Sequence, residues 1–200
     1  GGYTEYYIID GLPVAEQRHY DSGAEWYTMR YLYDESNNPV GFGMQYPTET
    51  KWENYYFAKN VQGDIVAIYR YDYNASTQKP YGTLIATYQY DPWGNPQGIK
   101  DASGKTIAQT ANHVATYNPF RYRGYRYDGD TGLYYLQSRY YDPMTCRFVN
   151  ADRYASTGQG LAGCNMFAYC NNNPVCYDDP TGTRANGPTF TFVNDGRGGS

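Results

Sequence analysis

The sequence predicts an all-β protein, and three observations carry that prediction. Tyrosine dominates the apolar complement, with 27 tyrosines among 200 residues against 28 for Ile, Leu, Val and Phe together. Glycine and proline, at 22 and 11 residues, supply frequent turns. The dipeptide Tyr-Asp recurs seven times, at 20–21, 33–34, 71–72, 90–91, 127–128, 141–142 and 177–178. Aromatic side chains favour strands. Each tyrosine ring brings a large apolar area together with a hydroxyl that needs water or a partner. A formal net charge of only −4 separates this composition from that of a disordered chain, which is poor in apolar residues and highly charged.

The repeat explains the elements in order. In Tyr88-x-Tyr90 both rings fall on one face of a strand. Asp91 is placed to accept backbone N–H groups as a turn begins, and Gly94 can take the positive φ that closes it. The next strand then runs back, and hairpins stack into a spiralling antiparallel sheet laddered by tyrosine, because one hairpin alone is marginal. Extended copies stand at "YLYD" (31–34), "YRYD" (69–72), "YQYDPWGN" (88–95) and "YRYDGDTG" (125–132), with a diverged copy at "YYFAKNVQGD" (55–64). The predicted strands are 55–60, 64–73, 83–91, 121–128, 133–142 and 146–150, with an edge strand over 189–194. Residues 99–117, rich in Ala and Thr, read as an excursion, and 158–169 as a short helical turn.

Several functional classes are set aside on chemistry. Arg121, Arg123, Arg126, Arg139 and Arg147 lie among aromatics, a mixture that can grip single strands, but Asp128, Asp130 and Asp142 are interspersed. Paired charges on strand faces are the better reading, and no nucleic-acid partner is predicted. No stretch approaches ~18 apolar residues, so no membrane span is expected, and the opening Gly-Gly-Tyr has no signal-peptide pattern. The cysteines Cys146, Cys164, Cys170 and Cys176 allow three disulfide pairings or none, and no Cys-x-x-Cys or nearby histidine suggests zinc. "GQGLAG" (158–163) matches a dinucleotide fingerprint in letters only, since no βαβ context surrounds it. "DGDTG" (128–132) lacks the closing glutamate of a calcium loop. No cofactor or metal is predicted.

Residues 118–182, "NPFRYRGYRYDGDTGLYYLQSRYYDPMTCRFVNADRYASTGQGLAGCNMFAYCNNNPVCYDDPTG", resemble the core-associated domain of RHS proteins, the YD-repeat family. Upstream, "YYFAKNVQGDIVAIY" and "YQYDPWGN" resemble that family's ordinary repeats. The resemblance implies YD-repeat strands over 1–117, an inward-curling core-associated segment over 118–183, and a tail over 184–200. It implies a secreted or cell-surface bacterial protein whose β-shell encapsulates and presents its own C-terminal effector. It also implies aspartyl self-cleavage by two Asp-Pro-x-Gly motifs, after the leucine that follows the second. Asp179-Pro180-Thr181-Gly182 supplies the second, and Asp152 stands for the first without its Pro-x-Gly. The catalytic pair would be Asp152 and Asp179, with cleavage after Thr183, which occupies the place of the family's leucine. Two adjacent carboxylates cannot both ionise, so one can hold a proton while the other acts as base. The rival reading makes Asp179 a turn cap and Asp152 a surface turn residue. A third reading is a carbohydrate-binding or adhesion module, which needs tyrosines exposed in rows. An unclosed sheet edge would favour self-association.

Overall fold

The computed structural model describes residues 2–151 and 165–187. The expected all-β architecture is present as two antiparallel sheets, each a simple meander. The first holds nine strands: β1 (Tyr3–Ile9), β2 (Leu12–His19), β3 (Glu25–Tyr33), β4 (Pro39–Gln45), β5 (Glu53–Lys59), β6 (Ile65–Asn74), β7 (Lys79–Tyr90), β8 (Pro96–Asp101) and β9 (Thr106–Ile107). The second holds β10 (Arg126–Asp128), β11 (Leu133–Leu136), β12 (Arg139–Asp142) and β13 (Arg147–Phe148). Every strand pairs only with its neighbours in sequence, so β1 and β9 are open edges of the large sheet among the described residues.

One turn is used repeatedly. At the β7–β8 connection the Asp91 N–H donates to Asn95 O at 3.0 Å and Gly94 N–H to Asp91 O at 3.0 Å. The Asp91 carboxylate takes the amides of Trp93 and Asn95 at 2.8 and 3.0 Å, and Gly94 sits at φ 90°. Asp34 does the same at β3–β4 for Ser36 and Asn38, both at 2.9 Å, with Asn37 at φ 62°. Residues 60–64 fold into the same turn, with the Asn60 side chain standing for aspartate and Gly63 at φ 89°. Each turn sits beside a shift in strand register, which is the geometry of a turn closed by a left-handed bulge residue. Because strands alternate in direction, these three turns lie along one edge of the sheet.

The period of two separates the faces. Tyr27, Met29 and Tyr31 of β3, Phe42 and Met44 of β4, Tyr55 of β5, Tyr88 of β7 and Ile99 of β8 are buried on one face. Residues 108–121 cross that face. A single helical turn, α1 (Val114–Tyr117), and Phe120 cover it, Ala115 is fully buried, and Tyr88 Oη donates to Ala115 O at 2.8 Å. The other face carries Tyr56, Tyr69, Tyr71 and Tyr73, all exposed.

Three strand expectations need correction. The segment 121–128 is broken, because Tyr122–Gly124 form a tight 3₁₀ turn with Arg123 at φ 56° before β10 begins. The segment 133–142 is a hairpin rather than one strand. Gln137, at φ 60°, and Ser138 reverse the chain, with Leu136 paired to Arg139. No glycine or proline marks that turn, which is why the sequence hides it. The strand expected over 146–150 shrinks to β13. The described part of 158–169 holds a turn rather than a helix, and the 3₁₀ turn falls at Cys170–Asn172. The edge strand expected over 189–194 lies outside the described residues.

The second sheet is built almost wholly on tyrosine: Tyr122, Tyr125, Tyr134, Tyr141 and Tyr169 are buried with Leu136 and Phe148. It docks on the edge of the large sheet where the Asp and Asn turns line up. Tyr122, Tyr141 and Tyr134 donate their hydroxyls to the carbonyls of Pro92, Trp93 and Gly94 at 2.9, 2.7 and 2.8 Å. Asp91 therefore satisfies the amides of this turn, and the tyrosine sheet satisfies its carbonyls. A Cβ on residue 94 would stand 2.6 Å from the Tyr122 ring, so glycine is required for both φ and close approach. At the next turn Asp64 accepts the Arg123 amide at 3.0 Å.

Candidate functional site

The described chain resumes at Asn165 and runs beside the second sheet. Phe148 N–H donates to Phe167 O at 2.9 Å, and the Tyr169 ring stacks on Tyr141 with centroids 3.9 Å apart. Cys170, Asn171 and Asn172 then take three successive left-handed conformations, a path that asparagine tolerates better than most residues. Asp178 and Asn186 exchange both backbone hydrogen bonds, at 3.1 and 2.7 Å. They close a loop that holds Asp179, Pro180, Thr181, Gly182, Thr183 and Arg184.

Asp179 is the centre of that loop and is 2% exposed. Its Oδ1 accepts the amides of Thr183 and Arg184 at 3.0 and 3.1 Å. Its Oδ2 faces Arg139 Nη2 at 3.4 Å, and its own N–H donates to Tyr125 Oη at 3.0 Å. Gly182, at φ 69°, lies against the β11–β12 turn, where a Cβ would meet Leu136 O at 2.8 Å. Ser138 Oγ donates to Thr181 O at 2.6 Å, while Arg139 Nε donates to Gly182 O and Nη1 to Met166 O at 3.1 Å. Burial raises the Asp179 carboxyl above its ordinary value; the Arg184 amide, Arg139 and the Thr183 amide oppose that rise without cancelling it.

Of the residues predicted for cleavage, Asp179 and Thr183 therefore meet, and the amide nitrogen of the Thr183–Arg184 bond lies against the Asp179 carboxyl. Asp152 lies outside the described residues, and so does Cys164. Cys146, Cys170 and Cys176 are free thiols. Burial pushes the Cys170 thiol up to about 12, which makes it a packed hydrophobe at neutral pH. Asp142, a turn residue by its sequence, holds the Met144 amide at 2.9 Å, and Asp128 holds that of Asp130 at 3.0 Å.

Arg139 is the residue sequence reasoning missed. Its signal was its place in "QSRYYDP", among arginines read as surface charges paired to neighbouring aspartates. Instead, Arg123, Arg126 and Arg139 reach Asp64, Glu16 and Asp179 in distant segments. Arg121 is buried and donates to the carbonyls of Asn118 and Thr116 at 2.9 and 3.2 Å. These guanidinium groups join segments and do not form an open cationic stripe.

The architecture is thus a tyrosine-laddered β-module with a buried acidic loop clipped to its smaller sheet. No family model matches the chain. It is 36% identical over 183 residues to the tRNA nuclease WapA of Bacillus subtilis, covering 91% of this chain and 7% of that protein. It is 31% identical over 149 residues to double-stranded DNA deaminase toxin A of Burkholderia cenocepacia, covering 57% of this chain and 10% of the toxin. It is 35% identical over 102 residues to toxin subunit YenC2 of Yersinia entomophaga, covering 50% of this chain and 9% of the subunit. Among solved structures, the TcdB2–TccC3–Cdc42 crystal structure aligns with a TM-score of 0.48 and 24% identity, over 90% of this chain and 9% of that one. The chain is similar to segments of these proteins and spans no more than a tenth of each.

Proposed function

We propose that the chain is the closing end of a YD-repeat shell in a secreted or cell-surface bacterial toxin. Residues 1–117 supply repeat strands, residues 118–183 the core-associated segment, and residues 184–200 lead towards the effector that the shell encapsulates and presents. The observation that carries this reading is the anchoring of the chain at Asp179–Arg184. Arg139, Ser138 and Tyr125 hold that loop against the tyrosine sheet, so whatever follows starts from a fixed point. Protease protection in the parent-length protein tests it. The effector should resist digestion in the wild type and become accessible in Arg139→Ala. An effector digested equally in both would remove the encapsulation reading.

A second reading, self-cleavage after Thr183, is favoured by the 3.1 Å contact between Asp179 Oδ1 and the Arg184 nitrogen. In this scheme water adds to the Thr183 carbonyl carbon with Asp152 as base. The nitrogen of the tetrahedral intermediate becomes basic and takes a proton from Asp179, whose carboxyl burial raises above its ordinary value. The C–N bond then breaks to leave a Thr183 carboxylate and an Arg184 amine. Intact mass of the wild type beside Asp152→Asn and Asp179→Asn checks this. Loss of 184–200 in the wild type alone supports the pair; full-length mass in all three leaves Asp179 as a structural cap.

A further inference from the structure

We propose that the Gly182–Thr183 peptide bond is a self-scission site, opened by the Thr183 hydroxyl in an N→O acyl shift. This step shares the clipped loop with the cleavage after Thr183 considered above. It uses a different bond and a different nucleophile, and it needs no residue outside the described ones.

The groups that such a shift requires meet at this bond. Arg139 Nε donates to the Gly182 carbonyl oxygen. A charged donor at that position strengthens as the oxygen becomes an oxyanion. On the nitrogen side, Thr183 Oγ1 shares a hydrogen bond with Thr181 Oγ1 at 2.7 Å, and Thr181 is exposed to water. The Thr183 nitrogen lies 3.0 Å from Asp179 Oδ1. Ser138 Oγ holds Thr181 O at 2.6 Å, and a Cβ on residue 182 would meet Leu136 O at 2.8 Å, so the acyl residue is fixed in place and must be glycine. Thr183 stands where the family that the sequence resembles carries leucine, which has no hydroxyl.

The Oγ1–C bond forms as the hydroxyl proton passes through Thr181 Oγ1 to water. Negative charge collects on Gly182 O against Arg139. The nitrogen, pyramidal in this intermediate, inverts to turn its lone pair to Asp179. Burial enlarges the protonated fraction of Asp179 at any pH, and that form gives up its proton. The C–N bond breaks, leaving a Gly182 ester on Thr183 Oγ1 and a free Thr183 amine. Asp179 recovers a proton from water, which balances the one released. Water then adds to the ester carbon, giving a Gly182 carboxyl group and restoring the Thr183 hydroxyl.

Incubation of the 200-residue chain in neutral hydroxylamine, followed by intact mass, tests the site. Hydroxylamine intercepts the ester and should release residues 183–200 with a hydroxamate left on Gly182. Its own attack at Asn186–Gly187 gives a fragment ending at residue 186, separate in mass. Thr183→Val keeps the shape without the hydroxyl and should abolish release at 182. Thr183→Ser should restore it, with the amide spectrum reporting that each variant is folded. Arg139→Gln should slow release about a hundredfold, the scale of one oxyanion donor. Absence of the Gly182 hydroxamate from the wild type overturns the proposal. So does release at 182 that persists in Thr183→Val. A cut after residue 183 alone, unaffected by Thr183→Val, overturns the acyl shift and upholds the aspartyl cleavage.

Discussion

The two sheets use the same tyrosine in opposite ways. In the large sheet tyrosine is one apolar residue among several: Met29, Phe42, Met44, Ile68 and Ile99 share the core, and eight of the fourteen tyrosines in β1–β9 are exposed. In the small sheet tyrosine is the core, and its hydroxyls leave that core to reach the carbonyls of residues 92–94. A meander of nine strands buries enough surface through its length. Four strands of two to four residues cannot, and are held by what they grip on the neighbouring sheet. The small sheet is therefore specified by polar docking, and the large one by its alternating pattern.

The largest test of that contrast is Arg126→Ala. It leaves Glu16 buried without its guanidinium, and should cost about 3–5 kcal/mol in urea unfolding, whereas Arg126→Met with Glu16→Leu should recover most of it. Gly94→Ala should cost roughly 2–4 kcal/mol by pushing the Tyr122 ring off the turn, seen as early loss of amide protection in β10–β13 before β1–β9. Tyr134→Phe should cost about 1–3 kcal/mol because Gly94 O loses a buried donor, while Tyr71→Phe on the exposed face should change the unfolding midpoint negligibly.

The subtlest contrast is one of sign. Asp34 and Asp101 in the large sheet are held below their ordinary values, Asp34 by the Asn38 amide and Asp101 by the Ser103 hydroxyl. Their contribution is present above the unfolded carboxyl value and is lost as pH falls through the folded one. Asp179 is raised by burial, so the folded state binds its proton more tightly than the unfolded state. Its contribution weakens as pH rises from the ordinary aspartate value through the raised one. Asp179→Asn should therefore flatten the fall in stability on that rising limb, and Asp34→Asn should flatten the acid limb. Unfolding midpoints across mildly acidic pH would show whether the two substitutions act in opposite directions.

Much of this was legible because the repeat is local chemistry. Tyr88-x-Tyr90-Asp91 and Gly94 state their strand, turn and bulge within seven residues, and the turn at Asn60 follows by analogy. The 137–138 reversal was not legible, because Gln137 takes a conformation its side chain does not advertise. The partners of Arg123, Arg126 and Arg139 were hidden for a different reason. They lie 40 to 110 residues away, and no period in the sequence connects them. Asp179 was visible as a motif, but its burial and its contacts with Tyr125 and Arg139 depend on how the small sheet closes.

A row of turns with one backbone shape raises the question of address. At 34–38, 60–64 and 91–95 the main chain follows the same path, so each offers the same set of carbonyls along one edge. What differs is the residue at the fourth position: Asn37 carries a side chain, Gly63 opens on empty space, and Gly94 lies under Tyr122. In a repetitive protein the danger is less that a segment fails to dock than that it docks one copy out of place. The missing Cβ at residue 94 lets the Tyr122 ring close on this copy, and a side chain such as that of Asn37 would keep it off the 34–38 copy.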